Sequence, residues 1–460
     1  MKTTKFFFMA ALALTFVACS NEDLTKQPVE QPAKADGIPF TATISVGESG
    51  TMRALTENGT KLEATWAVNE EVALIHNGVK DVMTVESVSG GAATISGTIT
   101  GSPTDGDPVT IIYPATAADG TTGNVKSDLL YSQEGTLAAV ASKYDVRKGT
   151  GNLKVVSETA SLDGNVSLTN QFAIWKLTLN HSAKYLYITA NMYDLSTAAL
   201  IAGAIRATAS TEFYVAVPAF PAVSSSFISV VATDGTDCWY YTKRPASPLS
   251  AGNYYQSAPT MTEVGTSDHE FVYKMTAPGN LLMGGRTVIL SGVNFSGDIA
   301  GIAFPYGGTL ILVGNNTITG GELTSTGVEI ADGCSLYITG PGSLTVTCTS
   351  SYYNAPGIGA RDLTTGDILI CGGTINATGS GNAPGIGWLG NGSHGNITIT
   401  NGVTQVTATK GSGALHSIGK GSSETSCGTI TIGGTVYWDG TDYVGTGSTY
   451  LTQNSITYTP

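Results

Sequence analysis

Charged residues are scarce in this sequence, and basic residues are scarcer than acidic ones. Only 12% of the 460 residues are charged, with 22 Lys and Arg against 35 Asp and Glu, which gives a formal net charge of −13. Nucleic acids and anionic membrane surfaces both require a basic footprint on the protein. The composition therefore argues against a nucleic-acid partner.

Cysteines and long apolar runs are also few. The sequence has six cysteines, none in C-x-x-C spacing, and an odd number remains when Cys19 is set aside. This argues against a disulfide framework and against a zinc site. The apolar run from Phe6 to Val17 is too short to span a bilayer as a helix. We expect no metal and no cofactor.

Glycine, by contrast, is abundant, with 58 copies among many Thr, Ser, Val and Ile residues. β-Branched residues favour strands, and glycine favours the tight turns between them. The composition therefore predicts an all-β chain, and its length predicts two or three domains.

The first 19 residues have the parts of a secretory signal. Two lysines precede the apolar run, and a small residue, Ala18, lies directly before Cys19. The ending FVAC resembles a bacterial lipobox, whose cysteine accepts the lipid. We expect a lipoprotein signal peptide at 1–19, a disordered polar tether at 20–37 and a surface-exposed anchor in the cell outer membrane through Cys19. The alternative is an ordinary signal peptide with an incidental cysteine.

Alternating apolar residues predict two groups of strands. In Phe40–Val46 every second residue is apolar, which is typical of a half-buried strand. Further short runs of this kind follow at Leu62–Trp66, Glu71–Ile75, Asp81–Val85, Ala93–Ile99 and Pro108–Tyr113. A second group includes Phe172–Leu179 and Glu212–Pro218. Short strands at regular spacing favour β-sandwiches.

Four motifs in these groups resemble landmarks of fimbrillin-like proteins, the subunits of type V pili. They are ATW-x-x-x-EEVALI at 64–75, FAIWKLTL at 172–179, YVAVP at 214–218 and L-x-A-G-x-Y-Y at 249–255. The resemblance covers about half the chain. It implies two transthyretin-like β-sandwich domains, at 38–165 and 166–262, and a role in surface fimbriae or adhesion.

The resemblance also implies a processing step. In fimbrillins a loop after the first strand carries an arginine that a trypsin-like protease cuts, and the matching bond here is Arg53–Ala54. Loss of the first strand would open a sheet edge that another fimbrial subunit fills by β-strand complementation. The alternative is a permanent lipoprotein in which Arg53 is a solvated loop residue.

The last third of the chain contains a repeat. NAPGIG at 354–359 recurs at 382–387 and more loosely at 417–419, and each copy is followed by a G-x-I-x-I strand and a second short strand. A period of about 30 residues with β signals indicates stacked coils. We expect a right-handed parallel β-helix within 268–460. A multi-bladed sheet is the alternative, although blades need four strands and longer repeats.

Catalysis is not expected in this repeat region. Glycosidases need two carboxylates across one bond, and lyases usually need a calcium cluster of Asp residues together with a base such as Arg or Lys. Acidic residues from 268 onward are sparse and do not recur at one position of the repeat. The aromatic residues Tyr352, Tyr353 and Trp388 are instead candidate ligand contacts, because exposed rings mark contact sites. The alternative is that they pack against the solenoid core.

These features predict a cell-surface fimbrial component or adhesin, at the tip or in an accessory position. Its partners would be other fimbrial subunits and a glycan or a host or bacterial surface protein. The competing hypothesis is a stand-alone surface lipoprotein that binds glycans. A β-helical enzyme that degrades polysaccharides is the third.

Overall fold

A computed structural model gives the structure of part of the chain, and all of that part belongs to one compact unit, residues 37–460. The described residues are 37–46, 56–58, 61–63, 66–120, 122–192, 198–222, 226–265, 271–276, 281–282, 286–297, 301–320, 326–331, 333–349, 354–361, 364, 366–423 and 425–460. Strands and loops make up nearly all of these residues, so the predicted all-β class is confirmed.

Eight strands between residues 37 and 170 form the first sheet. The strands of this segment are β1 (Ile38–Val46), β2 (Thr56–Asn58), β3 (Lys61–Glu63), β4 (Glu71–His76), β5 (Val79–Ser89), β6 (Ala92–Ile99), β7 (Pro108–Tyr113), β8 (Arg147–Val156), β9 (Thr159–Leu162) and β10 (Val166–Asn170). The order is β10-β1-β6-β5-β4-β7-β8-β9, while β2 and β3 form a separate hairpin. Because β8 also pairs with β10, the hydrogen-bonded path closes around a core that includes Leu74, Met83 and Ile95.

The pairing of β10 corrects one predicted boundary. β10 lies parallel to β1 and antiparallel to β8, so it belongs to the first sheet. The boundary predicted between residues 165 and 166 is therefore wrong, and the first sheet extends to Asn170. Alternating apolar residues identify a strand, but they do not tell which sheet the strand joins.

The second sheet follows directly. Its strands are β11 (Ala173–Met192), β12 (Ala198–Val217), β13 (Ser226–Thr233), β14 (Cys238–Lys243), β15 (Tyr254–Ser257) and β16 (Thr262–Glu263). β11 and β12 are each 20 residues long and form an antiparallel ribbon. β15 runs parallel to the first half of β11, whereas β13 is antiparallel to the second half.

The connection between β7 and β8 covers the edge of β12. It contains a 3₁₀ turn (Ala115–Ala117), helix α1 (Leu137–Ala139) and a π-helical turn (Val140–Tyr144). The Gln133 side chain is fully buried there, with Nε2 donating to the Ala216 carbonyl at 2.8 Å and Oε1 accepting from the Ala216 amide at 2.8 Å. These bonds satisfy both polar groups of Ala216 and join the two sheets.

Residues 271–460 form three further sheets, which we call the three-sheet region. Its strands are β17 (Val272–Met275), β18 (Leu281–Leu282), β19 (Arg286–Ser291), β20 (Asn294–Gly297), β21 (Ile302–Phe304), β22 (Gly308–Val313), β23 (Asn315–Gly320), β24 (Val328–Ile330), β25 (Leu336–Thr339), β26 (Ser343–Cys348), β27 (Ile358–Arg361), β28 (Ile368–Ile370), β29 (Thr374–Thr378), β30 (Ile386–Leu389), β31 (Ile397–Ile399), β32 (Gln405–Thr409), β33 (Ile418–Lys420), β34 (Thr429–Ile432), β35 (Thr435–Asp439) and β36 (Ser455–Tyr458), with helix α2 at Gly447–Leu451.

The chain supplies strands to these three sheets in rotation, and we call each set of successive strands, one from each sheet, a coil. One sheet is β17-β19-β22-β25-β28-β31-β34-β35, the next is β18-β21-β24-β27-β30-β33, and the third is β20-β23-β26-β29-β32-β36. Every neighbouring pair is parallel except β34–β35 and β32–β36. Inward-facing residues stack in columns, of which Leu310, Ile338, Ile370, Ile399 and Ile432 form one buried example.

Glycine is required in one of these columns. Gly359, Gly387 and Gly419 stack directly on one another, with φ of 144°, 135° and 118°. A Cβ added at Gly387 would lie 2.1 Å from the Gly419 carbonyl oxygen. The NAPGIG motif is therefore a site of close backbone contact between successive coils.

The last copy of the repeat departs from the other two. β35 folds back on β34 as an antiparallel hairpin, whereas the equivalent strands β29 and β32 continue the third sheet. Gly433 and Gly434 allow the turn, since both have positive φ. β36 occupies the position next to β32 that β35 would fill if the third sheet continued, and it runs antiparallel to β32.

The second sheet packs on the three-sheet region through an apolar layer. Tyr187 and Val231 of the second sheet lie in one buried cluster with Ile289 and Ile311. A hydrogen bond of 2.8 Å between the Thr189 and Thr287 hydroxyls crosses this layer. The second sheet thus has two buried faces, one against its own core and one against the three-sheet region.

Candidate functional site

The candidate functional site is the position of β1 in the first sheet. Phe40, Ala42 and Ile44 point into the core and are 1%, 8% and 0% exposed, while Thr41 and Thr43 between them are exposed. This is the period-two pattern expected from the sequence, and the strand prediction for Phe40–Val46 is confirmed. The three inward side chains lie in the same cluster as Ile95, Leu153 and Leu168.

β1 has partners on both of its edges. On one edge it pairs antiparallel with β6, from Ile38 opposite Ile99 to Ser45 opposite Ala92. On the other edge it pairs parallel with β10, where Ile44 lies opposite Val166, and with β9 at Phe40 and Ala160. We call the space that β1 occupies between β6 and the β9–β10 edge the β1 groove. An empty β1 groove would expose two rows of backbone hydrogen-bonding groups and an apolar floor.

The segment after β1 is held against the second sheet by a polar cluster. In the β2–β3 hairpin, the Glu57 carboxylate accepts hydrogen bonds from Lys176 Nζ at 2.9 Å and from the Tyr254 hydroxyl. Tyr254, followed by Lys176, holds the pKa of Glu57 below its usual range. This contact could not be predicted from the sequence, because Glu57 and Lys176 are far apart along the chain and Glu57 belongs to none of the motifs.

Most of the site residues predicted from sequence lie outside the described residues. These are Cys19, Arg53, Ala54, Tyr352 and Tyr353. Their assignments as lipidation site, processing site and ligand contacts remain predictions. Among the described residues, no helix is long and apolar enough to cross a membrane.

Trp388 is described, and its predicted exposure is wrong. Its side chain is fully buried in β30 and stacks on His394, with 5.2 Å between ring centroids and 8° between ring planes. The second NAPGIG copy leads into β30, and Trp388 lies within that strand instead of on the exposed surface. Gly387 has a left-handed φ that lets both Ile386 and Trp388 reach the interior. Trp388 therefore packs in the core and is not available to a ligand at the surface.

No family model matches the chain. No curated protein matches it either.

Several solved structures of Bacteroidales proteins match about half of the chain. A Bacteroides ovatus protein provisionally assigned to cell adhesion is 14% identical, covers 50% of this chain and 95% of its own, and has a TM-score of 0.27. A fimbrial assembly protein of Parabacteroides distasonis is 13% identical over 49% of this chain and 91% of its own, with a TM-score of 0.26. A fimbrial protein of Bacteroides ovatus is 13% identical over 49% of this chain and 51% of its own, with a TM-score of 0.23. These scores are too low to carry an argument about fold or function.

Proposed function

We propose that this protein is a cell-surface fimbrial component or adhesin that assembles by strand exchange at the β1 groove. The observation that carries the proposal is the position of β1. It is a nine-residue strand, hydrogen-bonded on both edges, with alternating buried side chains. A strand from another subunit would find the same two hydrogen-bonding edges and the same apolar floor, which is the chemistry of β-augmentation.

The proposed sequence of events begins with export and lipid attachment at Cys19. A protease then cuts at Arg53–Ala54, and the segment that contains β1 leaves the first sheet. The cluster of Glu57, Lys176 and Tyr254 supports this scheme, because it holds the chain downstream of the cut on the second sheet. The β2–β3 hairpin would therefore stay bound to the second sheet after β1 is removed.

We further propose that the three-sheet region is a parallel β-helix that serves as the exposed recognition module. The in-register stacking of its strands and buried columns supports the helix assignment. A tip or accessory position is supported by β36, which is already engaged with β32 through its backbone. Ile456 of this strand is buried, so β36 is not an unoccupied strand ready for donation.

The strand-exchange proposal can be tested with the purified protein lacking its signal peptide. The folded protein is cut at Arg53–Ala54, the released segment is removed in denaturant, and the remainder is refolded with fluorescent peptides. The natural peptide spans Ile38–Val46. One variant carries Phe40→Lys and Ile44→Lys, and a matched control of equal charge carries Thr41→Lys and Thr43→Lys.

The natural and control peptides should bind, and the variant with two inward lysines should bind at least about 100-fold more weakly. Each inward lysine removes an apolar contact worth a tenfold or larger factor in affinity. Equal binding of the two lysine peptides would contradict docking in the β1 groove. Failure of the natural peptide to bind would favour the stand-alone glycan-binding lipoprotein.

A further inference from the structure

The second sheet contains a cleft that the proposed assembly does not use. Its volume is about 390 Å³, near the lower end of the range of about 300–1,000 Å³ typical of small-ligand sites. Residues of β11, β13, β14 and β15 line it, together with the segments 244–249 and 258–259. The cleft lies on the side of the sheet that carries its own core, away from the layer that contacts the three-sheet region. Its size suits a short ligand or one unit of a longer chain.

The base of the cleft is apolar. Val230, Ile228 and Leu249 are 0%, 5% and 8% exposed there, and Trp175, which is also buried, adds an aromatic ring. A polar group buried against this base would lose its hydrogen bonds to water without replacing them. A ligand must therefore bring an apolar face to the base.

Two half-buried tyrosines, Tyr241 of β14 and Tyr255 of β15, add more exposed rings to the lining. Side chains alternate along β14, so that Tyr241 packs on the core of the second sheet whereas Tyr240 packs in the layer toward the three-sheet region. Tyr255 packs on the core of the second sheet as well. Both rings therefore lie on the same side of the sheet as the apolar base, where they can pack against a flat apolar face.

Two of the aromatic rings are held in place by hydrogen bonds. Trp175 Nε1 donates to the Ser257 hydroxyl at 3.0 Å. Because the Ser257 oxygen accepts this bond, its own proton can be donated to a ligand. The Tyr255 hydroxyl donates to the Pro248 carbonyl at 3.0 Å and accepts from the Ser250 amide at 3.0 Å. A ligand would therefore meet rings that are already oriented, which lowers the entropic cost of binding.

The cleft carries little charge. Lys243 and Arg244 are the two charged residues among the described residues that line it. The Arg244 guanidinium, however, lies 5.0 Å from the centroid of the Phe227 ring. Phe227 does not line the cleft, and alternation along β13 places it on the opposite side of the sheet from Ile228. Only the exposed Lys243 therefore offers its charge to the cleft, and one exposed ammonium adds little affinity for an anion.

We propose that this cleft binds a neutral sugar residue, such as a hexose unit of an uncharged glycan. A hexose ring has an apolar face of C–H groups and a rim of hydroxyls, so it matches an apolar base with polar groups around it. The hydroxyls of Tyr241 and Ser257 and the ammonium of Lys243 can donate to sugar hydroxyls. Within the described part of the chain, neither Tyr241 nor Lys243 makes a side-chain hydrogen bond or an ion pair that would compete.

Other ligand classes fit less well. An acidic sugar would find one exposed lysine and no group that binds a carboxylate at two points. A wholly apolar ligand would cover the hydroxyls of the lining without satisfying them. An extended peptide would need backbone partners along its length, whereas β15 has only four residues and the lining segment 244–249 contains Pro245 and Pro248, which lack an N–H donor. The inference does not rest on strand exchange at β1, so either proposal can fail without the other.

The experiment measures binding of three neutral trisaccharides, cellotriose, mannotriose and galactotriose, to the protein lacking its signal peptide. Trigalacturonate is the acidic comparison, and indole is the apolar one. Calorimetry gives the affinity, and saturation transfer from the protein to the sugar protons shows which face of the ring touches the protein. At least one neutral trisaccharide should bind through its apolar face, about tenfold or more tightly than either comparison compound. Its affinity should not change with salt, because no charge pairs with the ligand.

Tyr241→Ala should weaken this binding about tenfold or more, because it removes both the ring and the hydroxyl. Tyr241→Phe should weaken it only about threefold, since the ring remains and one hydrogen bond is lost. This second variant keeps the test available if Tyr241→Ala does not fold.

Tyr240→Ala is the matched control. It removes the neighbouring ring of β14, which lies on the other side of the sheet and outside the cleft, and should leave the affinity unchanged. Thermal unfolding of each variant checks that the sheet is intact. Absence of binding by all three neutral trisaccharides would overturn the proposal, as would equal or tighter binding of trigalacturonate or indole. Equal losses in Tyr240→Ala and Tyr241→Ala would also overturn it, since they would show that the sugar does not bind in the cleft.

Discussion

The first sheet and the three-sheet region differ in how far apart along the chain their paired strands lie. In the first sheet β1 pairs with β10, which lies more than 100 residues further along the chain, as in Ile44 opposite Val166. In the three-sheet region each strand pairs with the equivalent strand of the next coil, as in Ile338 opposite Ile370. The first sheet is therefore completed by pairing between strands that are far apart in sequence, whereas each coil pairs with the coils next to it in sequence. Under the strand-exchange proposal, the first sheet is the part of the described structure that would lose and regain a strand.

The outer faces of the three-sheet region differ as well. On the sheet that contains β19 and β22, outward Ile289 and Ile311 are buried against the second sheet. On the sheet that contains β26 and β32, outward Thr345 and Thr407 are only partly buried and belong to none of the apolar clusters formed by the described residues. Apolar outward residues therefore fix which face of the coils the second sheet covers.

The largest effect is expected from Gly387→Ala, which acts on the coils alone. The new Cβ would meet the Gly419 carbonyl oxygen at 2.1 Å, and alanine rarely adopts φ of 135°. We expect the free energy of unfolding to fall by more than about 4 kcal/mol. Hydrogen exchange should become rapid across β27, β30 and β33 and change little in the first sheet.

Gly434→Ala is the matched control for that prediction. Its φ is 81°, but no atom lies within 4 Å of an added Cβ. The loss should then be only about 1 kcal/mol. Equal losses at the two positions would mean that contact between coils is not what constrains Gly387.

Phe40→Ala, which acts on the first sheet, should lower the free energy of unfolding by about 3–5 kcal/mol. The Phe40 side chain is 1% exposed and belongs to the core cluster of that sheet. Denaturant unfolding with hydrogen exchange should show β1, β6 and β10 opening more readily while the coils keep their protection. The neighbouring change Thr41→Ala should alter stability by no more than about 0.5 kcal/mol, because Thr41 faces outward. A similar loss from both changes would contradict the assigned register.

A smaller, pH-dependent effect is expected at His416, in the last coil. Burial, followed by the charges of Lys420 and Lys410, lowers its pKa from 6.5 to about 4. The ring is held neutral, with the Lys420 amide donating to Nδ1 and Tyr443 contacting Nε2 at 2.8 Å. Between pH 4 and 6.5 the unfolded chain binds more protons at this site than the folded chain does, so stability falls as pH falls.

The expected loss at His416 is about 3 kcal/mol when pH drops from 7 to 4. Hydrogen exchange of β33 and β34, measured across this range, would detect it. His416→Gln cannot titrate and should flatten the pH dependence. An unchanged slope in this variant would assign the effect to other groups.

Sequence periodicity predicted the strands of this molecule better than their arrangement. β1 follows from the alternation of Phe40, Ala42 and Ile44, and the stacked repeat follows from the recurrence of G-x-I-x-I. The pairing of β10 with β1 and the reversal of β35 could not be predicted from periodicity, because the pairing partner of a strand depends on the tertiary fold. Trp388 was misplaced because the conformation of Gly387 cannot be read from the residue type alone. The Glu57 contacts depend on residues that only the tertiary structure brings together.

The most direct test of strand exchange is the N-terminal sequence of the protein in assembled surface material. Digestion with a protease that cuts before aspartate distinguishes the two states, because no aspartate lies between Asp36 and Asp81. Strand exchange after processing predicts a peptide that begins at Ala54 and ends at Lys80, without the longer peptide from Asp36 to Lys80. Recovery of the intact Asp36–Lys80 peptide from assembled material would contradict the proposal.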